Sequence, residues 1–220
     1  MTNWIGLVAL SFYVFGVIGV AELCRKRGMS RYMTRKIVHI GVGMMIWIVP
    51  FVIQNRWYFI GTALAFSLLT LADNRLNFFK SVSQKGELNL GTFYFPIAAA
   101  VIAYVFWDRP ALMVAAIMPL TWGDGMAEVI GRSFGKHHYT IFSHTRSIEG
   151  TFAFILFGFV FTWLALWTIF SPPLIGWESA VLPALITIFA TAAIEAISVF
   201  GLDNLLVTFT AGVILHNWPF

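Results

Sequence analysis

Apolar runs separated by short polar punctuation dominate the chain. They fall at 3–22, 37–53, 57–72, 92–106, 110–122, 151–170 and 180–200. Most approach the about 20 residues a helix needs to cross the hydrocarbon of a bilayer. The pattern predicts an all-α fold: a polytopic membrane bundle of about seven transmembrane helices, forming a single domain over residues 1–220. The 110–122 run is short for a span. The tail after Asn204, LLVTFTAGVILHNWPF, fits either a short eighth span or a re-entrant segment. No basic region and no small-residue cleavage site precede Glu22, so the first run is expected to stay as a helix.

Composition strengthens this reading. Hydrophobic residues make up 59% of the chain and charged residues 11%, and mean hydropathy is +0.82. Soluble domains carry about 25% charged residues, so a soluble globular enzyme, a disordered chain and a disulfide scaffold are all excluded. Cys24 is the only cysteine, so no intramolecular disulfide can form. A net charge of +4 is too small to suggest a nucleic-acid partner.

The distribution of charge says more than its sum. The segment 24–36 holds Arg25, Lys26, Arg27, Arg31, Arg35 and Lys36; 73–91 holds Arg75, Lys80 and Lys85; 123–150 holds Arg132, Lys136 and Arg146. If every run crosses, these three segments share one side, with only Arg56 and Arg109 opposite. The positive-inside rule then predicts a multi-pass protein with its N-terminus outside and these loops in the cytoplasm.

Polar chemistry gathers on that side. The densest stretch is Gly123 to Gly150, GDGMAEVIGRSFGKHHYTIFSHTRSIEG. Asp124 stands between Gly123 and Gly125 and offers hard oxygen ligands of the kind Mg2+ prefers. A helix over 123–133 would put Asp124, Ala127, Glu128 and Gly131 on one face. Two carboxylates there suit a metal carrying phosphates, with Lys136 and Arg146 available for phosphate oxygens. The plainer alternative is a glycine-rich loop with solvated charges. Arg35, Lys36 and His39 would share a helix face at the interface, whereas Arg25, Lys26 and Arg27 read as anchors that snorkel to headgroups. A further polar group runs from Lys85 through Gly86, Glu87, Leu88, Asn89 and Gly91 to Thr92. Glu195, with Ser198, Asp203 and Asn204 after it, lies deep in an apolar run. Such an acid is either functional or a packing acid paired to a base. His137, His138, His144 and His216 show no zinc-like spacing and read as loop polarity, with His144 a minor candidate.

The run Gly123-Asp124-x-x-Ala127-x-x-x-Gly131-Arg132-x-Phe134-Gly135-Lys136, followed by Ser147-x-Glu149-Gly150-Thr151, resembles the membrane family of CTP-dependent lipid-alcohol kinases. That family includes dolichol kinase, phytol kinase and the fungal CTP-dependent diacylglycerol kinase, and is related to the CDP-diacylglycerol synthases. Arg35-Lys36-x-x-His39 resembles its N-terminal motif. Gly86-Glu87-Leu88 with Gly91 and Tyr94 resembles its central one, and Glu195-x-x-Ser198 with Asp203-Asn204 its C-terminal one. Two positions depart from the pattern: Arg146-Ser147 replaces Lys-Ser or Lys-Thr, and Asp203-Asn204 replaces a pair of acids. The C-terminal His-Gly-Gly and Asp-Arg-x-Asp features of the synthases are absent, which favours the kinase branch.

The resemblance implies transfer of the γ-phosphoryl group of CTP to the hydroxyl of a membrane lipid such as phytol, dolichol or diacylglycerol. It implies Mg2+ on Asp124, assisted by Glu128 or Asp203, and nucleotide contacts from Arg35, Lys36, His39, Gly123, Gly125, Gly131, Lys136, Arg146 and Ser147. Glu195 and Asp203 are the candidate bases. The partners are thus a membrane lipid and a nucleotide; oligomeric state is open. The rival readings are a CDP-lipid synthase and a small membrane transporter.

Overall fold

The computed structural model describes residues 2–76, 90–141, 144–168, 176–198 and 201–220. The protein is mostly helical. Helix α1 (Asn3–Lys26) is about 36 Å long at 1.5 Å per residue. Together with α8 (Ile148–Thr168), it is long and apolar enough to cross a membrane. Helices α4 (Arg56–Leu76), α5 (Gly91–Phe106) and α9 (Val181–Ile197) contain shorter apolar stretches.

The molecule is apolar outside and carries much of its polarity inside. Trp4, Phe12, Leu68, Phe152 and Val213 are exposed, whereas Thr34, Lys36, Thr162, Thr191, Glu195 and Asn204 are buried. Large exposed apolar surface is unfavourable in water and suits a lipid solvent.

The central helix, α6 (Pro110–Met118), is buried at every position from Ala111 onward. A helix that is hydrophobic on all sides belongs in a core, and α5, α8 and α10 (Asp203–Asn217) surround it. The tail left open by the sequence is therefore a packed helix, with Val207, Thr208, Ala211 and Leu215 completely buried.

Three sequence expectations need correction. The run 37–53 is broken: α2 (Arg31–Met44) passes through a 3-10 turn at Met45–Trp47 into the four-residue α3 (Val49–Val52). Pro50 lies in the first turn of α3, where its missing N–H costs least. The run 110–122 does not end in a loop, because α6 continues through a π-helical segment, Pro119–Asp124, into α7 (Gly125–Phe134). Pro119 has no N–H to donate to the preceding turn, and a wider turn absorbs the defect. Finally, the fold contains strands. β1 (His138–Ile141) pairs antiparallel with β2 (His144–Ser147), Tyr139 opposite Arg146. The expected loop 123–150 is thus a helix, a hairpin and the start of α8.

Candidate functional site

Helix α2 presents Arg35, Lys36 and His39 from neighbouring turns, and the junction of the π segment with α7 presents Asp124 and Glu128 one turn apart. Small residues let the two elements meet. A Cβ on Gly125 would lie 2.7 Å from Ile40 Cγ1, and one on Gly43 would collide with Thr121. Gly125 is thus required by helix packing, whatever else it contacts.

The crossing brings the charges together. Arg35 Nη2 donates to both Glu128 oxygens at 2.7 Å. Lys36 Nζ donates to Asp124 Oδ2 at 2.6 Å and lies 3.1 Å from Glu128 Oε2. Arg132, which the sequence reading left without a role, reaches Glu128 at 3.0 Å from an exposed position. Its guanidinium also covers the Tyr32 ring at 5.4 Å. Burial alone would raise the Asp124 carboxyl; the charges of Lys36, His39 and Arg35 outweigh it and bring the pKa down to about 2. Burial likewise opposes the charged form of Lys36, but Asp124 and Glu128 hold its pKa above the ordinary lysine value. Lys36, Asp124 and Glu128 are therefore charged at neutral pH.

His39 braces this arrangement. Its Nε2 is 2.8 Å from the Leu120 carbonyl, inside the π segment, and 3.6 Å from Asp124 Oδ2. Its ring meets Phe95 of α5 edge-on at 4.9 Å. Asp203, at the start of α10, accepts the Asn204 backbone N–H at 2.9 Å. Burial first, and the nearby Asp124 charge second, raise its pKa above the usual carboxylate value. Asn204 donates to the Gly91 carbonyl at 2.6 Å, tying α10 to α5.

Arg35, Lys36, His39, Asp124, Glu128 and Asp203 line one cavity of about 570 Å³, within the range of ligand sites. The remaining walls are largely apolar and come mainly from α1, α2, α4 and α5.

The other expected site residues gather elsewhere. Ser147 precedes α8, and its Oγ accepts the Gly150 N–H at 3.0 Å, an N-cap of that helix. A Cβ on Gly131 would lie 2.9 Å from that hydroxyl and 3.5 Å from Gly150 Cα, so Gly131 permits the close crossing of α7 and α8. Gly123 packs against the Phe154 ring. Glu195 is buried and ion-paired to Arg146, whose Nη2 also donates to the Ser198 carbonyl at 3.2 Å. This matches the packing-acid alternative, and neither Glu195 nor Arg146 lines the cavity. Lys136 is exposed between α7 and β1. The motif residues Lys85, Gly86, Glu87, Leu88 and Asn89 lie outside the described residues, although Gly91 and Thr92 beside them line the cavity.

Among the described residues no three His, Cys, Asp or Glu side chains converge as a metal cage. Asp124 and Glu128 instead form a carboxylate pair, the donor set used by a Mg2+ that arrives on phosphates and keeps other ligands from them.

No family model and no solved structure matches the chain. It is similar to a phytol kinase of Synechocystis sp., 28% identical over 96% of this chain and 90% of that protein. It also resembles a probable chloroplastic phytol kinase of Glycine max, 28% identical over 94% of this chain and 68% of the relative. A chloroplastic farnesol kinase of Arabidopsis thaliana is 26% identical over 68% of this chain and 53% of its own length. The family resemblance carried by the motifs therefore holds.

Proposed function

We propose that this member of the lipid-alcohol kinase family, a relative of phytol and farnesol kinases, phosphorylates the hydroxyl of a membrane-borne prenol with CTP as donor. The observation that carries the reading is the cavity itself, where an ionised Arg35–Lys36–Asp124–Glu128 cluster closes an apolar chamber. A prenol has the same two-part character. The names of the relatives favour a prenol over diacylglycerol or dolichol. CTP as donor rests on the family resemblance.

In this reading the nucleotide approaches from the cytoplasmic side, the side of the basic segments 24–36 and 123–150. Its phosphates would compete for Arg35 and Lys36, and Asp124 and Glu128 are the residues that would hold Mg2+. When bound, the ion neutralises charge on the phosphates. Arg132, exposed and paired with the cavity residue Glu128, receives the polyphosphate in this reading. The lipid oxygen bonds to the γ-phosphorus, the bond to the bridging oxygen breaks, and CDP leaves. Asp203 takes the hydroxyl proton; its raised pKa suits a base better than an ordinary carboxylate does.

Purified protein with labelled CTP, ATP or GTP and a panel of phytol, farnesol, geranylgeraniol, a long polyprenol and diacylglycerol tests this reading. Prenyl monophosphate and CDP are expected. Pyrophosphate release with a CDP-lipid product would assign the site to a synthase instead. Turnover with ATP but not CTP would remove the donor.

A further inference from the structure

The apolar limb of the cavity opens sideways through the wall of the bundle. Phe15 and Ile18 of α1 and Phe66 and Leu69 of α4 line it. Two of these four, Phe15 and Leu69, are at the same time 59% and 63% exposed on the outer surface. A residue that both lines a cavity and faces outward marks its mouth. The outer surface beside this mouth is apolar too: Phe12 is 75% exposed and Leu68 65%. The mouth therefore faces the solvent that covers those side chains, which is hydrocarbon rather than water.

At its other end α1 is fastened. Trp4 packs edge-on against Tyr58, near the start of α4, at 5.3 Å. Asn3 Oδ1 accepts the backbone N–H groups of Gln54 and Asn55, and a Cβ on Gly6 would collide with the Val52 carbonyl. The helices are thus joined near the N-terminus of α1, while nearer its C-terminus they flank the cavity. Along α2 the lining runs from Arg35 to Val42, about 10 Å at 1.5 Å per residue. A compartment that short encloses only the hydroxyl-bearing end of a long prenol.

We propose that the cleft between α1 and α4 is the lateral access path for the lipid, and that Phe15, Ile18, Phe66 and Leu69 hold the first part of a prenyl chain while the rest stays in the bilayer. This rests on the prenol-kinase reading and adds to it the route and the residues. A prenol sends one apolar chain through this mouth; the two chains of a diacylglycerol would both have to leave through it. Selection then acts on the shape of the hydroxyl end and little on total length.

The test changes polarity at the mouth without adding charge. Phe15→Gln and Leu69→Gln are surface changes that spare the core. Each should raise KM for phytol or geranylgeraniol about tenfold, while KM for nucleotide and turnover at saturation stay near wild type. A five-carbon water-soluble prenol needs no path through the bilayer, so its KM should rise less in these two variants than the KM for phytol does. Phe12→Gln and Leu68→Gln make the same change just outside the cavity and should leave every constant unchanged. Equal effects at all four positions, or none at Phe15 and Leu69, would overturn the proposal. A diazirine-bearing long-chain prenol supplies a readout independent of turnover. Labelling confined to α1 and α4 supports the cleft even in protein that transfers no phosphate, a result that would sink the kinase reading alone. Labelling on α8 and α9 instead would sink the cleft.

Discussion

Two groups of buried charge join distant parts of the chain, and they differ in what lies beside them. In the first, Arg35 and Lys36 of α2 pair directly with Asp124 and Glu128 in the wall of a 570 Å³ cavity. In the second, Arg146 of β2 meets Glu195 of α9, away from that cavity. Both tie remote elements together, and both take charge partly out of water. The first borders the cavity, and the second does not line it; in the proposed reading the pairs of the first are the ones exchanged for phosphate and metal. Location beside a cavity, rather than burial, is what distinguishes the two groups.

The largest expected effect tests the first group. Asp124→Asn keeps the shape but removes an anionic oxygen, and should lower turnover about 10³-fold, equivalent to about 4 kcal/mol. Thermal unfolding in detergent should shift little, since Glu128 still faces Lys36 at 3.1 Å. A large loss of stability with normal turnover would make the two groups alike and break the contrast. Next comes Glu195→Gln, which leaves Arg146 inadequately paired. We expect about 3 kcal/mol of lost stability, at the low end for a broken buried pair, with turnover per folded molecule near wild type. Replacing both partners, Glu195→Leu with Arg146→Met, should recover much of the stability. Reduced turnover in a stable Glu195→Gln protein would instead return Glu195 to the chemistry.

The difference between these groups was only partly legible in the sequence. The face shared by Arg35, Lys36 and His39, and the face shared by Asp124 and Glu128, followed from helical spacing alone. That the two faces meet did not, because it depends on a crossing set by Gly43 and Gly125 over 80 residues apart. The glycines of 123–150 looked like phosphate-cradling positions, yet Gly123, Gly125 and Gly131 each sit at a close packing contact. Pro119, within an apolar run, was the available sign that α6 would not stop at the expected boundary. The apolar wall was hidden for a different reason: Phe15 and Leu69 look like any lipid-facing residue until the cavity behind them is seen.

A smaller effect separates the cavity cations from others on the same segment. Lys36→Ala should cut turnover about 10²-fold, the order seen when one charge-stabilising donor is removed, with nucleotide KM rising. Arg25→Ala and Lys26→Ala should barely change either constant. Among the described residues Arg25 pairs with Glu22, three residues back on its own helix, and such surface pairs contribute little. Equal losses at all these positions would mean that the whole basic segment acts by anchoring at headgroups.

The smallest effect concerns Ser147, which the family pattern places near the nucleotide and the structure places at the start of α8. Its Oγ accepts the Gly150 N–H, an otherwise unpaired donor of the first turn. Ser147→Ala should therefore cost about 1 kcal/mol of stability, the usual value of a lost N-cap, and leave nucleotide KM unchanged. Ser147→Asp retains a capping oxygen in principle, but Gly131, Gly135 and Gly150 all pack within contact of the serine hydroxyl. The larger side chain has to displace one of those backbones, so it should destabilise more than alanine does. If alanine raises nucleotide KM while unfolding stays at the wild-type midpoint, Ser147 contacts the phosphates and the hairpin end of the molecule belongs with the cavity after all.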